Sequence, residues 1–570
     1  MRVVRIALGL PFALVGLLLA IVAGVVGFVL IGPDDTIWSS EQRLSTPGPA
    51  AISAPELIHR HGPLLQISAR PSDGQRELFV GVARDLDVAS YLKDVRHLKI
   101  DRIQLPMQLG GNEVNREAGA VTPPAGLDWW VARGGNEVSW PIADGPYDVV
   151  VMNADGKPAL DAQVKYGVEL PGAFVTTLLV AAAGLLLLVV GLVLLFRRPT
   201  GDDATAGTPE TPAVRRDATA VRRDASAVRR GAVGAREVVQ REVVARGVVR
   251  RGGGVRRGAG ALGTTILMLS ATSCAAVAER DTVTALSRPA TTAEAGRAEV
   301  RRYLDVFASA NRTRDEALIT TVEGGPLLAQ TRASFQIGKA LRKPVLPPFS
   351  YTRPLIAAPD HTGYPMRFVV SSGVSTDQKI RQLGVWHRQN AGSPWLLTHS
   401  VRPAAVMPIP DLAGLRVPSP ADNAAALNAA TDLAAYLSKG VDGQNFLNSP
   451  DLTELLRRRA AEQAKDLRDV YIAGVTDTFT LSGEPVAFVT TSAEVLVFAA
   501  FSERYLQTIR LGEAAKWARG DVTAFSNGKE FTRTLSYDML YQIAFVVPPK
   551  GNGKVRILSV DSQLTGAGGS

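Results

Sequence analysis

The sequence predicts a multi-domain membrane protein with transmembrane helices, a small β-rich or α+β outer domain, and a tandem α+β C-terminal region of helices packed on curved antiparallel sheets. Three observations carry this. Two charge-free apolar runs, 6–31 and 172–196, are long enough to cross a bilayer. An arginine-rich tract without lysine, histidine or aromatic residues follows the second run. Helix-start signals followed by strand-like runs occur twice between residues 290 and 570. At 570 residues the chain exceeds what one core supports, so several folded units are expected.

Residues 1–35 read as an N-terminal transmembrane anchor. Arg2 and Arg5 precede the apolar run and Asp34 and Asp35 follow it, which keeps the N-terminus in the cytoplasm. The run is long for a signal-peptide core and no A-x-A-like site follows, so an anchor is preferred to a cleaved leader. Residues 172–196 form the second span and end at Arg197-Arg198, which stay inside. Residues 36–171 are therefore expected outside the cell membrane.

Residues 197–258 read as an Arg-rich, disordered cytoplasmic linker. Thirteen arginines between 211 and 258 face four acids, Asp217, Asp224, Glu237 and Glu242, and their +9 is the whole formal charge of the chain. The heptads starting at Ala213, Ala220 and Ala227 lack large apolar positions, which excludes a coiled coil. The expected partners are the lipid bilayer and its anionic headgroups, at about 1 kcal/mol per nearby basic residue. A nucleic-acid arm is disfavoured, because no aromatic is present for stacking.

Residues 259–278 form a third apolar segment. Arg256-Arg257, the core Ile266-Leu-Met-Leu269 and Ala271-Thr272-Ser273 before Cys274 resemble a bacterial lipoprotein signal, with alanine where leucine is usual. That resemblance makes Cys274 a candidate lipidation residue. A third membrane helix with one buried cysteine and a buried cytoplasmic helix stay open beside it. Cys274 is the only cysteine, which excludes internal disulfides and thiolate zinc sites.

In the outer domain, 36–171, a strand is expected over 78–83, a short helix over 85–95, and strands at 100–105, 149–152 and 164–168. The last two flank Asn153-Ala-Asp-Gly156 and read as a hairpin. Trp129, Trp130 and Trp140 are expected to pack in a core or at headgroups rather than form a binding surface. His59 and His61 alternate on one face but lack a third ligand, so no metal is assigned.

In the first C-terminal unit, 290–415, Thr291 and Glu294 suggest a capping box before a helix carrying Val300, Tyr303, Leu304 and Phe307. A second helical piece covers 315–341, and strands follow at 366–370, 383–387 and 395–401, with the turn Asn390-Ala-Gly-Ser393 between the last two. The second unit, 416–570, repeats this order. Ser419, Pro420 and Asp422 start one helix, Ser449-Pro450 starts another, and strands follow at 471–481, 486–491, 495–501, 544–547 and 555–560.

This order resembles the cone-shaped α+β fold of the nuclear-transport-factor and cystatin type. With the lipobox-like entry, it is also similar to uncharacterised actinobacterial membrane proteins and lipoproteins carrying a domain of unknown function. The resemblance implies cones able to hold a small ligand or an acid–base site. The residues themselves show no HExxH, GxSxG, P-loop or GxGxxG motif in its required setting. His361, His387 and His399 are scattered; Trp386 and His387 could line a cone but alternate to opposite faces. Glu503 and Arg504, just past a strand end, read as solvated surface. No catalytic, cofactor-binding or metal-ligating residue is assigned and no cofactor is expected. The leading expectation is a non-enzymatic cell-envelope protein that binds a ligand or an envelope protein partner, with residues 36–171 and 280–570 extracytoplasmic. An enzyme on the same cone fold, or a membrane protein fused to a lipoprotein, are the alternatives.

Overall fold

The computed structural model describes residues 2–57, 62–104, 108–196, 287–404, 407–440, 443–447, 449–549 and 553–570. The arginine tract, the segment 259–278 with Cys274, and His59 and His61 lie outside the described residues. The chain divides into two units, one formed by residues 2–25 with 176–196, the other by residues 26–175 with 287–570.

The first unit is a pair of antiparallel helices. Helix α1 (Arg2–Val25) continues in a π-helical turn, Val26–Ile31. Gly9–Ile31 and Ala173–Phe196 are both long and apolar enough to cross a membrane. Small residues let the two helices meet at backbone distance. A Cβ at Gly16 would collide with Leu188 N and Gly184 O, and one at Gly184 would stand 2.7 Å from Ala20 N. Large residues such as Leu18 and Leu186 point outward. In lipid, where burying leucine against leucine gains little, close backbone packing of this kind is the main attraction between helices.

The second unit begins with two sheets. Strands β1 (Thr36–Trp38), β2 (Gln42–Thr46), β3 (Ala50–Ser53), β4 (Leu64–Pro71), β5 (Leu78–Arg84), helix α2 (Asp85–Tyr91), β6 (His97–Gln104), β7 (Gln108–Val114), β8 (Ala132–Gly134), β9 (Glu137–Pro141), β10 (Tyr147–Asn153) and β11 (Leu160–Glu169) follow in order. One sheet runs β1-β11-β4-β9 with β2 also on β11; the other runs β7-β6-β3-β10-β5-β8. All neighbours are antiparallel except β3 and β6. Ile67, Val80, Val82, Val138, Trp140, Val151 and Val164 fill the space between the sheets, so this part is a sandwich. The expected hairpin at Asn153–Gly156 does not form. Both edges of β10 are taken, by β3 and β5, and the chain crosses to the other sheet. Helix α2 is shorter than expected. After β11, Asp35 accepts hydrogen bonds from Gly172 N and Phe174 N (2.9 and 2.7 Å) at the start of α3 (Ala173–Phe196).

The C-terminal region has two α+β parts. The first contains β12 (Arg288–Pro289), α4 (Ala293–Thr313), α5 (Glu316–Ile319), α6 (Gly325–Ala340), β13 (Tyr351–Ala357), β14 (Asp360–His361), β15 (Met366–Val374), β16 (Asp377–Arg388) and β17 (Leu396–Val401). The second contains α7 (Pro420–Lys439), β18 (Phe446–Leu447), α8 (Pro450–Asp466), β19 (Ile472–Leu481), β20 (Val486–Val489), β21 (Val495–Ile509), β22 (Ala515–Lys516), α9 (Thr523–Ser526), β23 (Glu530–Phe531), β24 (Thr534–Val547) and β25 (Val555–Gly569). The expected cap at Thr291 falls one residue late: Thr292 accepts from Ala295 N, while the Thr291 hydroxyl is turned to Thr292 O. Ser419 with Asp422 forms the reciprocal capping box that its spacing implies.

The two sheets, β13-β15-β16-β17 and β18-β25-β24-β21-β19, lie face to face. Val369, Leu383 and Val385 of the first meet Leu496, Phe498 and Ala544 of the second. Alternation sends Phe368, Val370 and Trp386 the other way, under Val300, Tyr303 and Phe335 of α4 and α6. It likewise sends Val497, Ala499 and Phe545 under Ala430, Leu433 and Leu455 of α7 and α8. The layers are helix, sheet, sheet, helix.

Sandwich and C-terminal region are joined by buried polar contacts. Arg288 donates to Asp87 from Nε (2.9 Å) and Nη2 (2.6 Å), Tyr364 OH donates to the same carboxylate (2.9 Å), and Asp87 is fully buried. The turn 390–393 inserts beside them. Trp129 Nε1 donates to Ala391 O (2.9 Å), Ala391 N to Ser90 Oγ (3.2 Å), and Arg388 pairs with Asp128 at 2.6 Å. Asp87→Ala leaves the Arg288 guanidinium buried without its partner, which costs about 3–5 kcal/mol. Urea unfolding of the full-length protein in detergent, followed by tryptophan fluorescence, should show that loss; the double change Asp87→Leu/Arg288→Met should restore most of it.

Candidate functional site

The strongest candidate site starts from a glutamate that the chain forces into the interior. Glu323 lies in the turn between α5 and α6, and β17 clamps that turn from both sides. Leu397 N donates to Val322 O (2.9 Å) and Gly324 N donates to Leu397 O (3.0 Å). Gly325 then takes φ +53°, a conformation that favours glycine, and starts α6 with Pro326 behind it. The result is a carboxylate that is 1% exposed.

Glu323 lines a cavity of about 370 Å³ between α4, α6 and the first sheet, with Asp561, Ser562 and Gln563 of β25 at its rim. Tyr303 OH donates to Glu323 Oε1 (3.0 Å); Oε2 has no hydrogen-bond partner among the described residues. Burial pushes the carboxyl pKa up to about 7, and the Thr331 and Tyr303 hydroxyls act in the opposite sense. Burial and the same carboxyl hold the Tyr303 phenol well above its usual range.

One wall of the cavity is aromatic. Tyr303, Phe307, Phe349 and Tyr351 form a closed ring with centroid separations of 5.7, 5.5, 5.3 and 6.3 Å. The opposite side is polar and rigid. Gln330 Nε2 donates to Leu540 O (2.8 Å), Gln542 Nε2 to Gln330 Oε1 (2.5 Å), and Ser400 N to Gln542 Oε1 (2.9 Å), which ties the two α+β parts together beneath it. At the rim, Arg402 is committed to Asp561, with Nε 2.8 Å and its backbone N 2.8 Å from the two carboxylate oxygens.

A second cavity of about 260 Å³ lies between α8, α9 and the second sheet. Glu503, expected as solvated surface, is 2% exposed, because β21 continues to Ile509 and turns Phe501, Glu503 and Tyr505 inward. Arg459 is bonded to Asp477 through Nε (2.8 Å) and Nη2, and to Leu437 O, and its Nε stands 3.3 Å from Glu503 Oε1. Tyr541 OH donates to Glu503 Oε2 (2.6 Å). Burial, then the nearby Asp477 charge, pushes the Glu503 carboxyl up to about 7. One guanidinium shared by two acids fastens α8 to the sheet, while Asp477 Oδ1 and Glu503 Oε1 have no hydrogen-bond partner among the described residues.

The remaining sequence candidates are structural. Trp140 is in the sandwich core and Trp129 is at the contact with Ala391. Trp386 is core, whereas His387 is half-buried, with Nδ1 accepting from Arg367 Nε (3.2 Å). His361 faces the backbone of the same Arg367 (3.0 Å), and burial, then Arg367, pulls His399 down to about 3. The structure thus gathers three histidines around one arginine. Among the described residues no group of three His, Cys, Asp or Glu could hold a metal. Glu323 itself escaped sequence reading, since no motif marks an acid ahead of Gly324-Gly325-Pro326.

Residues 287–569 match a family model described as a domain of unknown function (DUF8094), which spans both α+β parts and none of the sandwich. No curated protein and no solved structure matches the chain.

The raised pKa of Glu323 has a signed consequence. Between about 4.5 and 7 the folded protein keeps a proton that the unfolded chain releases, so this group lowers stability as pH rises through that window. Glu323→Gln removes the effect. Denaturation midpoints from pH 5 to pH 8 should show the variant gaining roughly 3 kcal/mol on the parent across the series, at about 1.4 kcal/mol per pKa unit. Parallel profiles would mean the carboxyl is not held neutral.

Proposed function

We propose that this is a membrane-anchored envelope protein whose outer body, residues 36–171 with 287–570, binds a small ligand in the Glu323 cavity without transforming it. The observation that carries the reading is Glu323, a buried side chain that lines a walled cavity, forms no ion pair among the described residues and leaves Oε2 without a hydrogen bond there. A buried acceptor without a donor costs about 1–3 kcal/mol, so a site that keeps one favours a ligand that satisfies it. The volume is within the range of small-molecule sites. Helices followed by a curved antiparallel sheet resemble the nuclear-transport-factor type of cone, which supports the same location for a ligand by analogy. Binding is favoured over catalysis because the lining contains no histidine, cysteine or lysine to act with Glu323.

Chain continuity supports the topology. Crossings by residues 9–31 and 173–196 would leave residue 197 on the face opposite the sandwich, whereas Arg288 is buried against Asp87 of that sandwich. A return of the chain to that face before 287 is part of the proposal, and by sequence 259–278 is an uncharged run long enough for it. A lipid anchor at Cys274 would leave the following residues on the same face.

Two measurements test this reading. In a Cys274→Ala background, a membrane-impermeant maleimide on intact cells should label Lys157→Cys and Lys339→Cys alike, and Arg216→Cys only after permeabilisation. Protection of Lys339→Cys alone would sink the topology. For the cavity, a thermal-shift screen of cationic, neutral and anionic small amphiphiles should stabilise the full-length protein but not Thr331→Trp, which fills the space. Stabilisation by none of the classes would sink the ligand reading.

A further inference from the structure

Resting on the reading of the Glu323 cavity as a ligand site, we propose that its ligand is an amine: an ammonium group retaining an N–H donates to Glu323 Oε2, and the attached hydrocarbon lies against Tyr303, Phe307, Phe349 and Tyr351. Three features of the cavity select this class. The first is the acceptor. Glu323 Oε2 is buried and accepts no hydrogen bond of good geometry among the described residues, although the Thr331 hydroxyl acts on the same carboxyl, so a ligand atom that pairs with it must carry hydrogen. A quaternary ammonium has none.

The second is charge. Glu323, Asp377 and Asp561 line the cavity against Arg402 alone, and Arg402 is spent on Asp561. An anionic ligand would meet unbalanced carboxylates with no free cation to receive it. The third is the aromatic ring. Four rings in mutual contact offer π-faces and edges to a hydrocarbon chain next to a cation, the arrangement in which ammonium recognition gains most.

Binding must also move a proton. The groups facing Glu323 are Tyr303 from α4, Thr331 from α6 and Tyr351 from β13, with Asp377, Arg402 and Asp561 at the rim. None of them supplies a positive charge at Oε2. Below about pH 7 the carboxyl is protonated in the unliganded protein, and an arriving ammonium is paired only once that proton leaves to solvent. The reaction is carboxylic acid plus ammonium giving an ion pair plus one proton. Affinity therefore rises with pH up to about 7 and levels off above it.

The test uses full-length protein in detergent and three isosteric probes: 2-phenylethylammonium, 2-phenylethanol and phenylacetate. Calorimetry at pH 7.5 should give the ammonium an affinity about tenfold or more above the alcohol, the difference between a charge-assisted and a neutral hydrogen bond. Glu323→Gln should abolish that preference without lowering the melting temperature. At pH 6, titrations in buffers of different ionisation enthalpy should show release of close to one proton, falling towards none at pH 8.5. Binding of the alcohol or phenylacetate as tight as that of the ammonium, sensitive to Thr331→Trp, would overturn the amine and leave the cavity reading standing. An ammonium affinity unchanged in Glu323→Gln would also overturn it. If no probe responds to Thr331→Trp, both readings fall together.

Discussion

The buried pair between Asp87 and Arg288 is the contact on which the joining of sandwich and C-terminal region depends. Asp87 is 0% exposed, and its carboxylate receives two bonds from the guanidinium and one from Tyr364. Taking two charges out of water is expensive, and such a pair is tolerated only when every lone pair is answered. Here Arg288 also donates to the carbonyls of Pro289 and Ala290, so the guanidinium is answered as well. A satisfied pair of this kind adds less to stability than to specificity: it accepts one docking geometry between sandwich and C-terminal region. The seating of the 390–393 turn inherits that geometry.

Two buried glutamates show how the same cost is met differently. Glu503 is offset by the Arg459 guanidinium 3.3 Å from Oε1 and by the Tyr541 hydroxyl on Oε2. Glu323 has Tyr303 on one oxygen and no partner for the other among the described residues. Both carboxyls are pushed up to about 7, and each lines a cavity with one oxygen lacking a hydrogen bond among the described residues. But Glu503 has a guanidinium 3.3 Å from that oxygen, whereas Glu323 has no ion pair among the described residues. Functional sites are often where a fold leaves a local cost uncompensated. A cation held within the fold marks Glu503 as a structural acid, and Glu323 has no such partner among the described residues.

How much could be read from the sequence depended on the range of the interaction. Ser419, Pro420 and Asp422 announce the start of α7 because capping is settled within four residues. Apolar runs at 6–31 and 172–196 are legible for the same reason. The hairpin at Asn153–Gly156 was misjudged because the competing partners of β10, β3 and β5, lie far away in sequence. Glu503 was misjudged because strand alternation continues past Phe501 through Tyr505 and Gln507 to Ile509, a period-two signal hidden by one acid. Asp87 and Arg288 are 201 residues apart and carry no local mark of each other. Glu323 needed the clamp from β17 and a rim from β25 before its burial could be seen.

The docking contact also imposes a timetable on biosynthesis. Residue 288 is made 201 residues after Asp87, which at about 5–20 residues per second is roughly 10–40 s of synthesis. The sandwich has its own core between its sheets and can close early. Its other face, where Tyr91, Leu92 and Trp129 meet Ala391, stays uncovered throughout that interval, with Asp87 at its edge still in water. Asp87 and Asp128 are then charges on a largely apolar patch, and their hydration opposes premature self-association of half-made chains. The carboxylate that later pairs with Arg288 thus keeps that face hydrated while its partner is still unmade.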